Sequence, residues 1–431
     1  MTRYIINGGR KLNGRVAVEG AKNSALKLMA ASILADSKSI ISNVPIIEDV
    51  KTMAEVLKAL GAGIRIDSKS KTLEIDPSKI DSLETPYELI RKMRASILVA
   101  GPLLAKFGQV KVAVPGGCNI GSRQIDLHLK GFEGMGTQYS IEHGYVCCRV
   151  NGNIGRGKLK GTTIDLEFPS RGATENIMMA AVLAKGRTVI NNAALEPEIG
   201  DLADFLNKMG ADISGTGTGS IAIEGADRLS GTEYEVMPDS IEAGTYITAG
   251  VLCGEDLVVE NARYRNLEIF FAKLREIGAD IEIIDDNTVR IKGGRNSYRA
   301  VNISTLPYPG FPTDLQPIIT VLLSLCDGTS IVTENVFEHR FMYVEELNRM
   351  GADIKIDGHH AVINGVGQFS GAPVRAFDLR AGAAVVLAGL AAEGITEVSD
   401  IFHIDRGYAH LDKKLNALGA DIKKAGIKGQ Q

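Results

Sequence analysis

The sequence predicts an α/β protein of two domains, each built from three copies of one strand–helix–strand–helix–strand–strand unit. Three observations carry this. The chain has 431 residues, too many for one ordinary hydrophobic core. A short phrase of the form "LNKMGADI" recurs six times, its glycines 68 to 75 residues apart. Ahead of each phrase lies a second segment, rich in small and apolar residues, that runs through a Gly-Thr or similar turn into a strand.

In chain order the six phrases are "LKALGAGIRI" ending at Ile66, "FEGMGTQYSI" ending at Ile141, "LNKMGADI" ending at Ile213, "LREIGADI" ending at Ile281, "LNRMGADI" ending at Ile354 and "LNALGADI" ending at Ile422. Each reads as the end of an amphipathic helix, a glycine C-cap and a short alternating strand. The glycines are Gly61, Gly136, Gly210, Gly278, Gly351 and Gly419, placed where a left-handed residue ends a helix. After several copies a turn and a further strand follow, as in "ISGTGTGSIAIEG" and "IEIIDDNTVRIKG". The glycines of "GTGTG" suit a hairpin tip better than a phosphate cradle.

The upstream segments include "ALKLMAASILA", "MMAAVLAKGRTVINNA", "TAGVLCGEDLVVENA", "VLLSLCDGTSIVTENV" and "VVLAGLAAEGITEVSDI". These helices are apolar nearly all round, which predicts burial, whereas the phrase helices are amphipathic. Units of about 70 residues are too long for a solenoid, whose repeats run to roughly 45. Helices inside a ring of sheets satisfy both patterns.

Composition narrows the function. Hydrophobic residues make up 45% and the net charge is −4, which excludes a generic nucleic-acid surface; Trp is absent, so no stacking platform for single strands is expected. No apolar run approaches a bilayer span. The opening "MTRYIINGGRKLNG" has no signal core, which predicts a cytoplasmic protein. Of five cysteines, Cys147, Cys148, Cys253 and Cys326 lie in strand-like or apolar stretches and read as small buried hydrophobes. No spacing suggests a zinc site. Cys118 differs: it stands in "PGGCNIGSR", among glycines and five residues before Arg123, where positive charge lowers a thiol's pKa.

Four segments break the repeat with charge. In "EGAKNSAL", Lys22 and Asn23 open the first apolar helix, where backbone amides and a lysine can hold an anion; a solvated helix start is the alternative. The second segment carries Arg94, Cys118, Arg123 and Asp126. In "PYPGFPTDLQPI", three prolines precede Asp314, either a general base or the N-cap of the next helix. The fourth group is Arg340, Arg380 and Arg406, at comparable positions in the C-terminal units and suited to phosphate or carboxylate. Together they describe an enzyme with an anionic substrate, one loop thiol and one loop carboxylate. "GNIGRG" at 152–157 is only a fragment of glycine spacing, and no complete nucleotide-binding signature is present.

The motifs "GAKNSAL", "MRASI", "PGGCNIGSRQIDLH", "EPEIGDLADFLNKMGA", "FPTDLQP", "NVFEHRFM", "DLRAGAA" and "HIDRGY" resemble those of the UDP-N-acetylglucosamine 1-carboxyvinyltransferases, a family of enolpyruvyl transferases. The likeness runs to about Gly419. It implies the two-domain enolpyruvyl transferase fold, an inside-out α/β barrel with three βαβαββ repeats per domain. One domain would be 22–237 and the other 238–431 plus 1–21, with the active site in the cleft between.

The resemblance implies phosphoenolpyruvate and UDP-N-acetylglucosamine as substrates, phosphate release through a tetrahedral intermediate, and no cofactor or metal. Lys22, Arg123 and Arg406 would surround phosphoenolpyruvate, with Arg94, Arg340 and Arg380 helping. Asn23 and Asp314 would meet the sugar, Asp314 as base. Gln124, Ile125, Asp126 and Leu127, with Ser170, Arg171 and Gly172, would face the nucleotide, and Val336 and Phe337 would line its site. Cys118 would act as acid on a closing loop and be alkylated by the epoxide fosfomycin. The shikimate-pathway relative is disfavoured because it lacks the cysteine loop and the "GAKN" start. Retention of Lys22, Cys118, Arg123, Asp314 and Arg406 argues against a catalytically idle relative. Phe168 and Arg171 depart from the family pattern, and Arg171 is expected to supply a replacement charge to the nucleotide.

Overall fold

The structure, a computed structural model, describes residues 2–92, 94–113, 125–151, 158–293 and 298–426, with the side chains of 90–96 outside that description. Cys118, Arg123 and Gln124 therefore lie outside the described residues, as does the side chain of Arg94. The contacts divide the chain into two compact units. Residues 2–19 and 238–426 fall in one; residues 20–113 and 125–237 fall in the other.

Among the described residues each unit holds three separate open sheets, and no sheet closes into a barrel. Five of the six have four strands in one repeated order. Thr163–Asp165 is parallel to Arg187–Asn191, which is antiparallel to Ser220–Glu224, itself antiparallel to Asp212–Ser214. The helices Arg171–Ala181 and Pro197–Lys208 complete this βαβαββ unit. The repeat whose helix is Asp126–Gly134 is the reduced one. Its sheet has three strands, and the missing first strand survives as a bridge between Glu84 and Lys111.

Three units borrow a strand from far along the chain. Leu12–Ala17 pairs parallel with Gly254–Glu260, Glu233–Glu235 pairs parallel with Ser39–Ser42, and Thr2–Asn7 lies between Ile395–Ser399 and Ile422–Gly426. The first 19 residues thus supply two strands to two different sheets.

The apolar helices are buried, as their composition predicts. All eight residues of Gln316–Leu323 are buried, and it packs against Ser240–Cys253 and Leu379–Ala391, which also touch each other. Small residues permit this approach: a Cβ added to Gly244 would lie 2.7 Å from Leu315 Cδ1. In the other unit the helices Ala100–Phe107 and Arg171–Ala181 pack together. There Asn176 Oδ1 accepts from Gly101 N at 2.7 Å. Thr72–Asp76, inside its sheet, alternates and buries Leu73 and Ile75, whereas its edge neighbour Gly63–Asp67 has no buried residue.

The six phrase glycines all have positive φ, between 90° and 108°, as helix C-caps in the left-handed region require. Three of the phrases carry an asparagine with a further task. Asn348 Nδ2 donates to Ile354 O at 2.8 Å, and Ile354 N donates to Asn348 Oδ1 at 3.1 Å. Asn207 and Asn416 bracket Ile213 and Ile422 in the same way. The side-chain amide plays the part of a strand partner and fixes the entry of the strand after the glycine.

Among the described residues no helix is long and apolar enough to cross a membrane. Cys148, Cys253 and Cys326 are buried, and burial pushes each thiol up to about 12, which leaves them unreactive; Cys147 is half-buried.

Candidate active site

Each unit assembles its own group of the expected residues. In the unit of residues 20–237, Lys22 is the first residue of the helix Lys22–Ala31, which has no side-chain N-cap. Its Nζ lies 2.7 Å from Asp49 Oδ2, and both side chains are buried. The solvated helix start does not occur. Asp49 stands in the first turn of Glu48–Ala59, where acidic residues are common for reasons of helix polarity alone, so the sequence does not single it out. Asn23 is half-buried beside Lys22. Ser24 hydrogen-bonds Asp201 Oδ2, and Tyr234 donates to Asp201 Oδ1 at 2.9 Å. Burial raises the Asp201 carboxyl above its usual range, against these hydrogen bonds, which lower it. This triad pins the helix start that carries Lys22.

The nucleotide-facing candidates come together at two helix starts. Ser170 caps the helix Arg171–Ala181 by accepting from Ala173 N at 3.4 Å. The helix Asp126–Gly134 begins after Ile125; Asp126 is exposed, and Ile125 and Leu127 are half-buried. The two starts touch: a Cβ on Gly172 would lie 3.3 Å from His128 Nε2. His128 Nδ1 meets Asn176 Nδ2 at 2.9 Å, and that same amide nitrogen donates to Ile97 O. With Asn176 Oδ1 committed to Gly101 N, His128 Nδ1 must accept. The ring joins the two helices.

Arg171 lies near two carboxylates. Its Nε lies 3.6 Å from Glu196 and its Nη1 3.7 Å from Glu198, so its charge is shared with two carboxylates. Behind it Glu175 is fully buried, with Lys27 Nζ 3.4 Å away. Burial pushes Glu175 up to about 7, Lys27 and Arg171 opposing.

In the unit of residues 2–19 and 238–426, Asp314 sits in a 3-10 turn, Thr313–Leu315, and does not cap the following helix. The N-cap alternative is set aside by this geometry. Arg340 Nη2 donates to Asp314 Oδ1 at 2.9 Å, and Arg380 Nη2 donates to Oδ2 at 3.2 Å. Both arginines are 2% exposed. Burial works against the Arg380 charge, but Tyr408, Asp314 and Asp239 outweigh it and raise its pKa. Arg380 follows Asp378, whose side chain caps the helix Leu379–Ala391 through Arg380 N and Ala381 N.

Glu334, unremarked in the sequence, organises this group. Its buried carboxylate accepts from Thr305 Oγ1, from Thr313 Oγ1 beside Asp314, and from the backbone N–H groups of Val336 and Phe337 at 2.9 and 3.1 Å. The Phe337 ring lies 5.8 Å from the Arg340 guanidinium carbon. Arg406 ends the short helix Phe402–Asp405 and is half-buried. Two residues on, Tyr408 lies against Arg380, so the "DLRAG" and "HIDRGY" motifs meet. Burial and the Arg406 charge both lower the His403 pKa. Among the described residues no cluster of His, Cys, Asp and Glu could hold a metal ion.

The family profile of EPSP synthase (3-phosphoshikimate 1-carboxyvinyltransferase) matches residues 6–415. A UDP-N-acetylglucosamine 1-carboxyvinyltransferase of Caldanaerobacter subterraneus subsp. tengcongensis is 52% identical over 421 residues, covering 98% of this chain and 99% of that protein. A protein of the same description from Clostridium acetobutylicum is 49% identical, covering 98% and 100%. The enolpyruvyl transferase NikO of Streptomyces tendae superposes with a TM-score of 0.88 at 26% identity, over 98% of this chain and 99% of NikO. EPSP synthase from Acinetobacter baumannii, at 18% identity and a TM-score of 0.75 over 99% of this chain and 100% of that one, shares the fold. The chain belongs to the EPSP synthase family of carboxyvinyl transferases and, within it, to the UDP-N-acetylglucosamine 1-carboxyvinyltransferases.

Proposed function

We propose that this chain transfers the enolpyruvyl group of phosphoenolpyruvate to the 3′-hydroxyl of UDP-N-acetylglucosamine, with release of phosphate. Its place would be the first committed step of peptidoglycan synthesis, in the cytoplasm. The observation that carries the site assignment is the Asp314 carboxylate, held by two buried guanidiniums instead of capping its helix. A carboxylate held immobile by two guanidiniums can be placed to accept the proton of a sugar hydroxyl.

In this reading the hydroxyl proton goes to Asp314 as the oxygen–C2 bond forms, and C3 takes a proton from an acid, for which Cys118 is the candidate. Loss of a C3 proton with cleavage of the C2–oxygen bond to phosphate then restores the enol ether. Lys22, Arg123 and Arg406 stabilise the phosphoenolpyruvate charges, with Arg94, Arg340 and Arg380 supporting; Asn23 orients the sugar. The segments 124–127 and 170–172 hold the nucleotide, and Val336 and Phe337 line its sugar end. The burial of Lys22 against Asp49 supports this, since a lysine so held is a fixed point charge. Fosfomycin would alkylate Cys118.

The test is phosphate release from phosphoenolpyruvate with UDP-N-acetylglucosamine or shikimate 3-phosphate as acceptor, before and after fosfomycin. Release with the sugar nucleotide alone, abolished by the epoxide, is expected. Release with shikimate 3-phosphate alone would overturn the substrate assignment. Nucleotide binding with no release would overturn the catalytic reading.

A further inference from the structure

We infer that Tyr408 is a positioning residue for the reaction: through Arg380 it sets the geometry and protonation of Asp314. The inference rests on the reading of Asp314 as base.

Hydrogen counting carries the argument. Tyr408 is 1% exposed, and its Oη lies 2.9 Å from Thr245 Oγ1. A hydroxyl has one hydrogen to give. Thr245 gives its own to Ile241 O, one helical turn back, at 2.8 Å. Between the two hydroxyls Tyr408 must therefore be the donor. With its hydrogen directed at Thr245, the phenol oxygen presents only lone pairs elsewhere. The Arg380 guanidinium carbon is 5.4 Å from the ring centroid, and its charge opposes the rise that burial imposes on the Tyr408 pKa. The phenol is fixed at Thr245, and the ring it anchors backs the guanidinium.

Arg380 is buried and reaches Asp314 Oδ2 with one nitrogen. An arginine with a long stem is held in such a pose only by what flanks it, and a misplacement of about 1 Å near reacting groups costs roughly 10²-fold in rate. Among the described residues the cluster also holds Arg340 on Asp314, Glu334 on the adjoining Thr313, and Asp239, which acts on Arg380 and Tyr408. None of these takes over the contact of the Tyr408 ring with the Arg380 guanidinium. The tyrosine stands two residues after Arg406, so one short segment supplies both a substrate cation and the support for a second one.

The test is the pH dependence of kcat/KM for UDP-N-acetylglucosamine in Tyr408→Phe, Thr245→Val, Thr245→Ser and Asp314→Asn, with melting temperatures recorded alongside. A loosened Arg380 stabilises the Asp314 carboxylate less, so the acid limb of Tyr408→Phe moves to higher pH, by about half to one unit. Thr245→Val moves it the same way, because the phenol hydrogen loses its acceptor. Thr245→Ser, which keeps the acceptor, holds the parent limb. An unmoved limb in both Tyr408→Phe and Thr245→Val overturns the inference, as does an equal shift in Thr245→Ser. Full activity of Asp314→Asn would instead overturn the reading of Asp314 as base.

Discussion

Lys22 Nζ and Asp49 Oδ2 lie 2.7 Å apart, and the two side chains are only 10% and 4% exposed. Removing one partner of such a pair strands the other charge in a dry site, at about 3–5 kcal/mol. Asp49→Ala is expected to lower the free energy of urea unfolding by about that amount. Asp49→Asn, which keeps the shape, is expected to lower kcat/KM for phosphoenolpyruvate by about 100-fold, since Lys22 is no longer held in place. Nucleotide affinity by calorimetry should change little.

Asp314→Asn preserves volume but cannot take a proton. Steady-state assays are expected to show kcat down by at least about 100-fold with the sugar nucleotide still bound. The same change leaves Arg340 and Arg380 buried without their shared carboxylate charge, so the melting temperature should also fall.

Glu175 gives a pH signature in stability. Its carboxyl is moved from 4.5 up to about 7 in the folded chain, by burial. Between those values the folded chain keeps a proton that the unfolded chain has released. Stability therefore falls as pH rises through this window and levels off above it, by at most about 3 kcal/mol. Glu175→Gln should flatten the dependence. In urea titrations at pH 5 to 8, the variant is expected to gain on the parent as pH rises.

Asn348 makes two hydrogen bonds to the backbone of Ile354. Asn348→Ala should cost about 1–2 kcal/mol in urea unfolding. Asn348→Asp keeps the acceptor for Ile354 N but loses the donor to Ile354 O, and should fall between.

The repeat was legible because its signals are local. A bulky residue, a glycine and an alternating strand follow one another, and all six glycines adopt the left-handed conformation that pattern demands. The burial of the apolar helices was equally plain from their composition. The candidate site stands out in the sequence only where a residue type is unusual for its place, as with Lys22 at a helix start or Asp314 after three prolines. Asp49, Glu334 and Tyr408 do not, because each looks ordinary beside its sequence neighbours. What marks them is a partner between 27 and 29 residues away in some cases, and in others an element distant in the chain, as Thr245 is from Tyr408, 163 residues apart. The borrowed strands stayed hidden for the same reason. The expected replacement charge at Arg171 is partly spent on Glu196 and Glu198, which a reading of "SRGAT" alone does not show.

The strand Thr2–Asn7 has a consequence for synthesis on the ribosome. Its partners are Ile395–Ser399 and Ile422–Gly426, and the Arg3–Glu397 contact spans 394 positions. This strand is made well before either partner and waits unpaired for both. Residues 20–237 meanwhile have every strand of their three sheets within one continuous stretch and can complete themselves during translation. The nascent chain therefore carries the strand "TRYIIN" with both edges open while residues 20–237 complete their sheets, and it is this interval that a chaperone would have to guard.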